Sequence, residues 1–192
     1  MKDKIVIITG ASSGIGKALA YEFGRKGSHV VLAARNLKEL QIIAEELTSQ
    51  GIKALAVKTD VTSEIDCRHL IDAAIATFGR IDILINNAGI SMRALFVDLQ
   101  LDVMRRLMDT NYWGTVYCTK FAMPHLLKTK GSLVGVISIG GYIGMPGRSA
   151  YAASKFAVRG FLDTVRVENR KTGWHVLVVA PGFTTSNIRR AA

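Results

Sequence analysis

Tyr151 and Lys155 face each other across three residues in the run Tyr151-Ala152-Ala153-Ser154-Lys155, and Ser138 stands upstream at the end of an apolar run. Residues four apart share one helical face, so the phenol and the ammonium lean into the same space. A phenol with its ordinary pKa near 10 exchanges protons poorly at neutral pH. A cation about 5 Å away, at an effective dielectric of about 20, favours the phenolate by about 3 kcal/mol, or about two pKa units. The phenol then becomes a usable general acid toward a carbonyl oxygen. Tyr-x-x-x-Lys is also a common pattern on solvated helices, so its meaning depends on the elements that hold it.

Those elements alternate. Short Val- and Ile-rich runs at residues 5–9, 29–34, 52–59, 81–86, 132–138 and 175–180 read as strands. Their continuous apolarity suits parallel strands covered on both faces. Between them, residues 15–26, 37–50, 64–78, 103–128 and 150–172 have helical periodicity, and Gly27, Gly51, Gly79 and Gly131 fall where helices stop. Right-handed crossovers turn this alternation into an α/β doubly wound parallel sheet, the Rossmann fold, in a single domain spanning residues 1–192. Ligands in that architecture bind beyond the carboxyl ends of the strands.

Composition sets the outer bounds. With 192 residues, 49% hydrophobic and 21% charged, the chain buries a real core. Cys67 and Cys118 lie far apart in sequence without ligand-like spacing, so neither a disulfide framework nor a zinc site is expected, and a reducing, cytoplasmic location fits. The start, Met1-Lys2-Asp3-Lys4, enters a strand without the regions of a signal peptide, and no apolar run is long enough to span a bilayer. A net charge of +10 raises nucleic acid as a partner, but the basic residues are scattered and no nucleic-acid motif accompanies them, so specific recognition is not expected.

The segment after the first strand is the strongest ligand signal. Thr9-Gly10-Ala11-Ser12-Ser13-Gly14-Ile15-Gly16 closes a strand and opens a helix, the setting a dinucleotide needs. Gly10 permits the tight turn, and Gly14 and Gly16 remove side chains where a pyrophosphate meets backbone and where helix meets sheet. The spacing, Gly-x-x-x-Gly-x-Gly, departs from the commoner Gly-x-Gly-x-x-Gly. At the end of the second strand, Leu32-Ala33-Ala34-Arg35-Asn36 offers no acid for a ribose 2′-hydroxyl. Arg35 presents a fork of donors suited to a 2′-phosphate, which favours NADP(H) over NAD(H).

Taken together, these residues resemble the short-chain dehydrogenase/reductase family almost from end to end. The resemblance rests on Thr9 to Gly16, on Asn86-Asn87-Ala88-Gly89 after the fourth strand, on Ser138 with Tyr151 and Lys155, and on Pro181-Gly182 after the sixth. It implies a cofactor site of Gly10, Ser12, Ser13, Gly14, Ile15, Gly16, Arg35 and Asn36, with Asp60 and Val61 at the adenine and Asn87, Ala88 and Gly89 along the adenosine ribose. Pro181, Gly182, Phe183, Thr184 and Ser186 match the stretch beside the nicotinamide carboxamide. The implied chemistry is reduction of a ketone or aldehyde to an alcohol, with Tyr151 as proton donor, Ser138 as hydrogen-bond donor and Lys155 holding the nicotinamide ribose while lowering the Tyr151 pKa. Asn111 matches the fourth catalytic residue and is expected to order a water linking Lys155 to solvent. Alone, it reads as a mild helix defect or a polar core residue.

The resemblance also implies a substrate lid, another helix and a last strand after the Pro-Gly turn, and with the sequence ending at Ala192 these are expected to be absent from it. Ile90, Met92, Tyr142, Ile143 and Met145 are candidates for facing an aliphatic or lipid-like carbonyl, or for packing. The basic surface suits an acidic acyl carrier or a coenzyme A ester. The long fourth and fifth helices resemble those that form family homodimers and homotetramers. Two other functions are open: a cofactor-binding regulator that keeps the fold without the chemistry, and a basic nucleic-acid-binding module.

Overall fold

Runs of Val, Ile, Leu and Ala become strands here because β-branched and small apolar side chains fit a parallel sheet covered on both faces, except at residues 175–179, where Leu177 and Val179 are exposed. In the computed structural model, which describes residues 1–182, 184 and 188, the strands are β1 (Ile5–Thr9), β2 (His29–Ala34), β3 (Ala54–Lys58), β4 (Ile83–Asn86), β5 (Ser132–Val136) and β6 (His175–Val179). All neighbouring pairs are parallel, in the order β3-β2-β1-β4-β5-β6. The order reverses between β1 and β4, and a reversal of this kind opens a crevice at the carboxyl ends of those two strands. The expected α/β doubly wound, Rossmann-like sheet is the fold observed.

The helices are α1 (Gly14–Arg25), α2 (Leu37–Ser49), α3 (Glu64–Phe78), α4 (Leu101–Leu107), α5 (Gly114–Thr129) and α6 (Ser149–Glu168). Alternation along β1 divides the core: Ile5 and Ile7 pack with Cys67 of α3, Cys118 of α5 and Val158 of α6, whereas Val6 and Ile8 pack with Ala20 of α1 and Leu40 of α2. Burying each such aliphatic side chain stabilises the fold by roughly 1.5–3 kcal/mol. Side chains also set the helix starts. Asn36 Oδ1 accepts from the Glu39 amide at 3.3 Å to cap α2, and Ser63 Oγ accepts from the Asp66 amide at 3.2 Å to cap α3.

One expected element breaks. Residues 103–128 are not one helix: α4 ends at Leu107, a π-helical turn runs over Met108–Trp113, and α5 follows with Pro124 inside it. The Thr115 hydroxyl bonds back to the Asn111 carbonyl at 2.8 Å, and Gly114 lies so close to Val61 that an added Cβ would come within 2.8 Å of its side chain. A π-turn re-aims a helix by one residue, which here turns Asn111 inward while α5 nests on Val61. Four strands are also shorter than expected, 54–58, 83–86, 132–136 and, by one residue, 175–179, and the last helix stops at Glu168. β5 stops because Ser138 caps a 3₁₀ turn, Ile139–Gly141, by accepting from the Gly140 amide at 3.2 Å.

The end of the sheet opposite the crevice is locked by Asp82, whose side chain is 3% exposed. It accepts from the Ile5 amide at 3.0 Å, from Lys4 Nζ at 2.9 Å, and from Arg80 at 2.6 and 3.0 Å. Burial pushes this carboxyl up, but the amide and the two cations outweigh it and hold the pKa below the ordinary value. Cys67 and Cys118, distant in sequence, are brought together by α3 and α5 with their sulfurs 3.5 Å apart, both as buried free thiols. The contact with Cys67, together with burial, raises the Cys118 thiol well above its ordinary value. Among the described residues no helix is long and apolar enough to cross a membrane, and no group of His, Cys, Asp and Glu could hold a metal ion.

Candidate functional site

The crevice is built by hydrogen bonds between the ends of β1 and β4. Thr9 Oγ1 accepts from the amides of Asn87 and Ala88, each at 3.0 Å, and Asn87 Nδ2 donates to the carbonyls of Thr9 at 2.9 Å and Gly10 at 3.3 Å. Gly10 sits at φ +66°, and a Cβ there would come within 2.9 Å of Ala88 Cα. At Gly16 a Cβ would lie 2.3 Å from the Gly10 carbonyl oxygen. Side chains are excluded, so the loop lies flat against the β4 end. Ser13 begins α1 without a side-chain cap, and the first turn of α1 holds no acid. Its first amides therefore point into the crevice without a side-chain partner, at the positive end of a twelve-residue helix.

A cleft of about 420 Å³ extends from this floor, lined by Gly10, Ser12, Ser13, Gly14 and Ile15, then by Arg35 and Asn36, Asp60 and Val61, Asn87, Ala88, Gly89 and Thr110. Its size is that of a small-molecule pocket. Arg35 is exposed and has no ion pair among the described residues. The Asp60 carboxylate is held within its own loop by the amide and hydroxyl of Thr62, at 3.0 and 2.8 Å. A glycine floor, open helix amides and an unpaired guanidinium at the far rim fit a phosphate-bearing dinucleotide.

A second cleft of about 100 Å³ shares Ile15, Asn87, Gly89 and Ile188 with the first, so the two adjoin. Ser138, Tyr151, Lys155, Pro181, Gly182 and Thr184 line it. Lys155 Nζ lies 5.9 Å from the Tyr151 ring centroid and donates to the Val136 carbonyl at 3.0 Å. No carboxylate among the described residues pairs with it, and burial lowers its ammonium to about 8, still mostly charged at neutral pH. A Cβ at Gly89 would lie 3.4 Å from Nζ, so the missing side chain keeps space open beside the ammonium. Ser138 Oγ accepts from Gly140 and retains its own proton to give.

Asn111 works from behind. Its Oδ1 accepts from the Ile90 amide at 2.8 Å, and its Nδ2 donates to the Ile90 carbonyl at 3.0 Å and to Ser154 Oγ at 2.9 Å. Ser154 in turn donates to the Tyr151 carbonyl at 2.8 Å. Both donors of the Asn111 amide are thus spent on protein partners. The buried side chain braces the loop after Gly89 against the Tyr151 turn of α6.

Every described residue expected at the site lies in one of the two clefts or directly behind them. Gly16 lines neither and acts through helix packing, and Phe183 and Ser186 lie outside the described residues. Of the expected carbonyl-facing residues, Ile90 lines the larger cleft and Met92, buried, packs in one cluster with Tyr151. Tyr142 and Ile143 are exposed, the Tyr142 ring lying under the Arg159 guanidinium at 4.1 Å. Thr9 and Ser154 belong to the site's framework without a role expected from their types and spacing. A hydroxyl closing an otherwise apolar strand, and another between Tyr151 and Lys155, were the available signals.

A family model described as short chain dehydrogenase matches residues 4–192. An 11-beta-hydroxysteroid dehydrogenase-like 4A protein of Arabidopsis thaliana is 44% identical over 183 residues, covering 94% of this chain and 60% of its own length. The chain thus spans under two thirds of that curated relative. An alcohol dehydrogenase from the archaeon Thermococcus sibiricus, complexed with 5-hydroxy-NADP, superposes with a TM-score of 0.96 at 26% identity, covering 99% of this chain and 80% of that one. A short chain dehydrogenase/reductase from Burkholderia phymatum in complex with NAD gives 0.95 at 27% identity, covering 99% and 69%. Since the family match runs along nearly all of the sequence and the folds superpose along nearly all of the chain, this protein belongs to the short-chain dehydrogenase/reductase family.

Proposed function

We propose that the chain carries the cofactor-binding and catalytic parts of an NADP(H)-preferring oxidoreductase that reduces a ketone or aldehyde to an alcohol, reversibly. The observation that carries this reading is the meeting of Ser138, Tyr151 and Lys155 in one small cleft that adjoins the dinucleotide-sized one. When bound, the nicotinamide supplies or accepts a hydride, the one step no side chain here can perform.

The residues do the rest. Gly10, Gly14 and the first amides of α1 take the pyrophosphate, Asp60 and Val61 flank the adenine, and Arg35 takes the 2′-phosphate. The two solved relatives held NADP in one case and NAD in the other, so the preference rests on Arg35 and the lack of an acid at the end of β2. Tyr151 gives its phenolic proton to the carbonyl oxygen, and Ser138, its oxygen already engaged by Gly140, donates its hydroxyl to the same oxygen. Lys155 stabilises the phenolate that remains, and in the alcohol-to-ketone direction Tyr151 is the base. Ile90 of the larger cleft, backed by the buried apolar cluster of Met92, Leu107, Ala150 and Tyr151, suits an aliphatic or alicyclic carbonyl, in keeping with the hydroxysteroid dehydrogenase-like names of the relatives. The outer faces of α5 and α6 are the proposed contacts of a homodimer or homotetramer.

A panel of cyclic and linear ketones and aldehydes, followed by NADPH absorbance, tests the reaction. Tyr151→Phe is expected to bind NADPH normally and to lose at least about a hundredfold in kcat, the scale of a general acid. Near-normal turnover would remove Tyr151 from that role. Arg35→Ala is expected to weaken NADPH about tenfold or more and leave NADH unchanged, the worth of a charge-assisted bond. Equal affinity of the unmutated protein for both cofactors would defeat the stated preference.

A further inference from the structure

We infer that Arg148 is a positioning residue that clasps the segment after Gly89 onto the start of α6 and thereby sets the apolar wall beside Tyr151. The inference rests on the carbonyl-reduction reading for its kinetic part only. Arg148 immediately precedes α6, and its carbonyl accepts from the Ala152 amide at 2.8 Å, so it is rooted in the turn that carries Tyr151. Its Nη1 donates to Ser91 Oγ at 2.6 Å and to the Met92 carbonyl at 2.5 Å. Ser91 and Met92 are 6% and 3% exposed, so these acceptors have little water to fall back on. Bonds from an ionised donor to buried acceptors are the strong kind.

A second stitch lies beside the first. The Ala94 amide donates to the Gly147 carbonyl at 3.2 Å, and Gly147 turns there at φ +69°. With Asn111 holding Ile90, the segment is pinned at residues 90, 91, 92 and 94. Met92 packs in the cluster that contains Tyr151, with Ile90 and Ala94 against it, so the position of this segment is the position of the wall. No carboxylate among the described residues pairs with Arg148, leaving the segment as the described partner of its guanidinium. Arg148 and Met92 line neither cleft, whereas Ile90 lines the larger one and packs against the Met92–Tyr151 cluster, so Arg148 acts by seating Met92 behind this wall.

The test compares the unmutated protein with Arg148→Met and Arg148→Lys. Amide hydrogen exchange over residues 90–99 is expected to speed up at least about tenfold in Arg148→Met, the loss of one charged bond, and less in Arg148→Lys, with α1 and β2 unchanged. NADPH affinity should stay within about twofold by fluorescence titration, because the adjoining cofactor cleft has its own supports. On a bulky ketone that the protein reduces, KM should rise about tenfold with kcat within about threefold, partly restored by Arg148→Lys, while a small ketone is less affected. Unchanged exchange in Arg148→Met overturns the clasp. Faster exchange with unchanged KM and unchanged ketone preference overturns its link to the wall. If the unmutated protein binds NADPH but reduces no ketone, the carbonyl reading fails, and exchange alone still decides the clasp.

Discussion

Lys155 gives the sharpest test of the site's electrostatics, because burial alone lowers its ammonium from the ordinary 10.5 to about 8. Between those two values the unfolded chain binds a proton at this position that the folded chain does not, so stability must rise with pH across that window. Below about 8 the folded state carries the full penalty of a buried ammonium, and it is relieved as pH climbs from 8 to 10.5. A shift of about 2.5 units at 1.36 kcal/mol each makes the change about 3 kcal/mol. Lys155→Met keeps most of the side-chain volume and removes the titration. Urea unfolding of both proteins from pH 7 to 10.5 cancels the other lysines, since only the difference between them is read. Methionine is expected to be more stable relative to lysine at pH 7 than at pH 10.5, by about 3 kcal/mol, or roughly 10 °C in Tm for a domain of this size. A difference that stays flat across the window would show that the ammonium is not desolvated as the Val136 contact and 4% exposure require.

Two glycine substitutions should have opposite signs. Gly16→Ala gains helix propensity of about 1 kcal/mol but drives a Cβ to 2.3 Å from the Gly10 carbonyl oxygen and 2.6 Å from Asn87 Nδ2. Overpacking of about 1–3 kcal/mol wins, so both Tm and NADPH affinity should fall. Gly160→Ala, exposed within α6 and with nothing within 4 Å of its Cβ position, should raise stability by about 0.8–1 kcal/mol in a denaturant melt. At the other end of the sheet, the Asp82 pKa is depressed, so its contribution is present above the ordinary carboxylate pKa and is lost as pH falls through the lower folded value. Asp82→Asn should therefore cost about 2 kcal/mol at pH 7, discounted for half-exposed Lys4 and Arg80, and the gap should shrink in acid. A gap constant down to pH 2 would mean the carboxylate charge contributes nothing.

The fold was legible in the sequence because each strand is apolar on both faces and each Gly-rich turn follows one. Strand-end placement of Arg35, Asn87 and Ser138 followed from the same rhythm. The π-turn did not, because Met108–Trp113 has the composition of a helix and its geometry is set by tertiary contacts: Gly114 on Val61, and Asn111 reaching Ile90 and Ser154. The residues alone made Asn111 a polar defect, and the family resemblance supplied its importance. Cys67 and Cys118 show the same limit, since their contact depends on how α3 packs on α5. Arg148 was one basic residue among many until its guanidinium was placed on Ser91 and Met92.

The two ends of the sheet treat charge in opposite ways, and the contrast points to function more firmly than any single motif. At the amino ends of β1 and β4, Asp82 meets two cations and an amide. That end is finished without a ligand. At the carboxyl ends, the first amides of α1 lack side-chain caps, Arg35 has no ion pair among the described residues, and Lys155 is buried with only the Val136 carbonyl as its described partner. Each of these donors is costly or idle in the isolated chain, and each lines one of the two adjoining clefts. Local rules are kept at one end and broken at the other, as expected where binding supplies the missing partners. A phosphorylated dinucleotide would satisfy all three donor sets along one path, with its phosphates at Arg35 and the start of α1 and its ribose hydroxyls at Lys155. NADPH should therefore stabilise the chain against unfolding, and Arg35→Ala should lower that stabilisation without lowering the stability of the free protein.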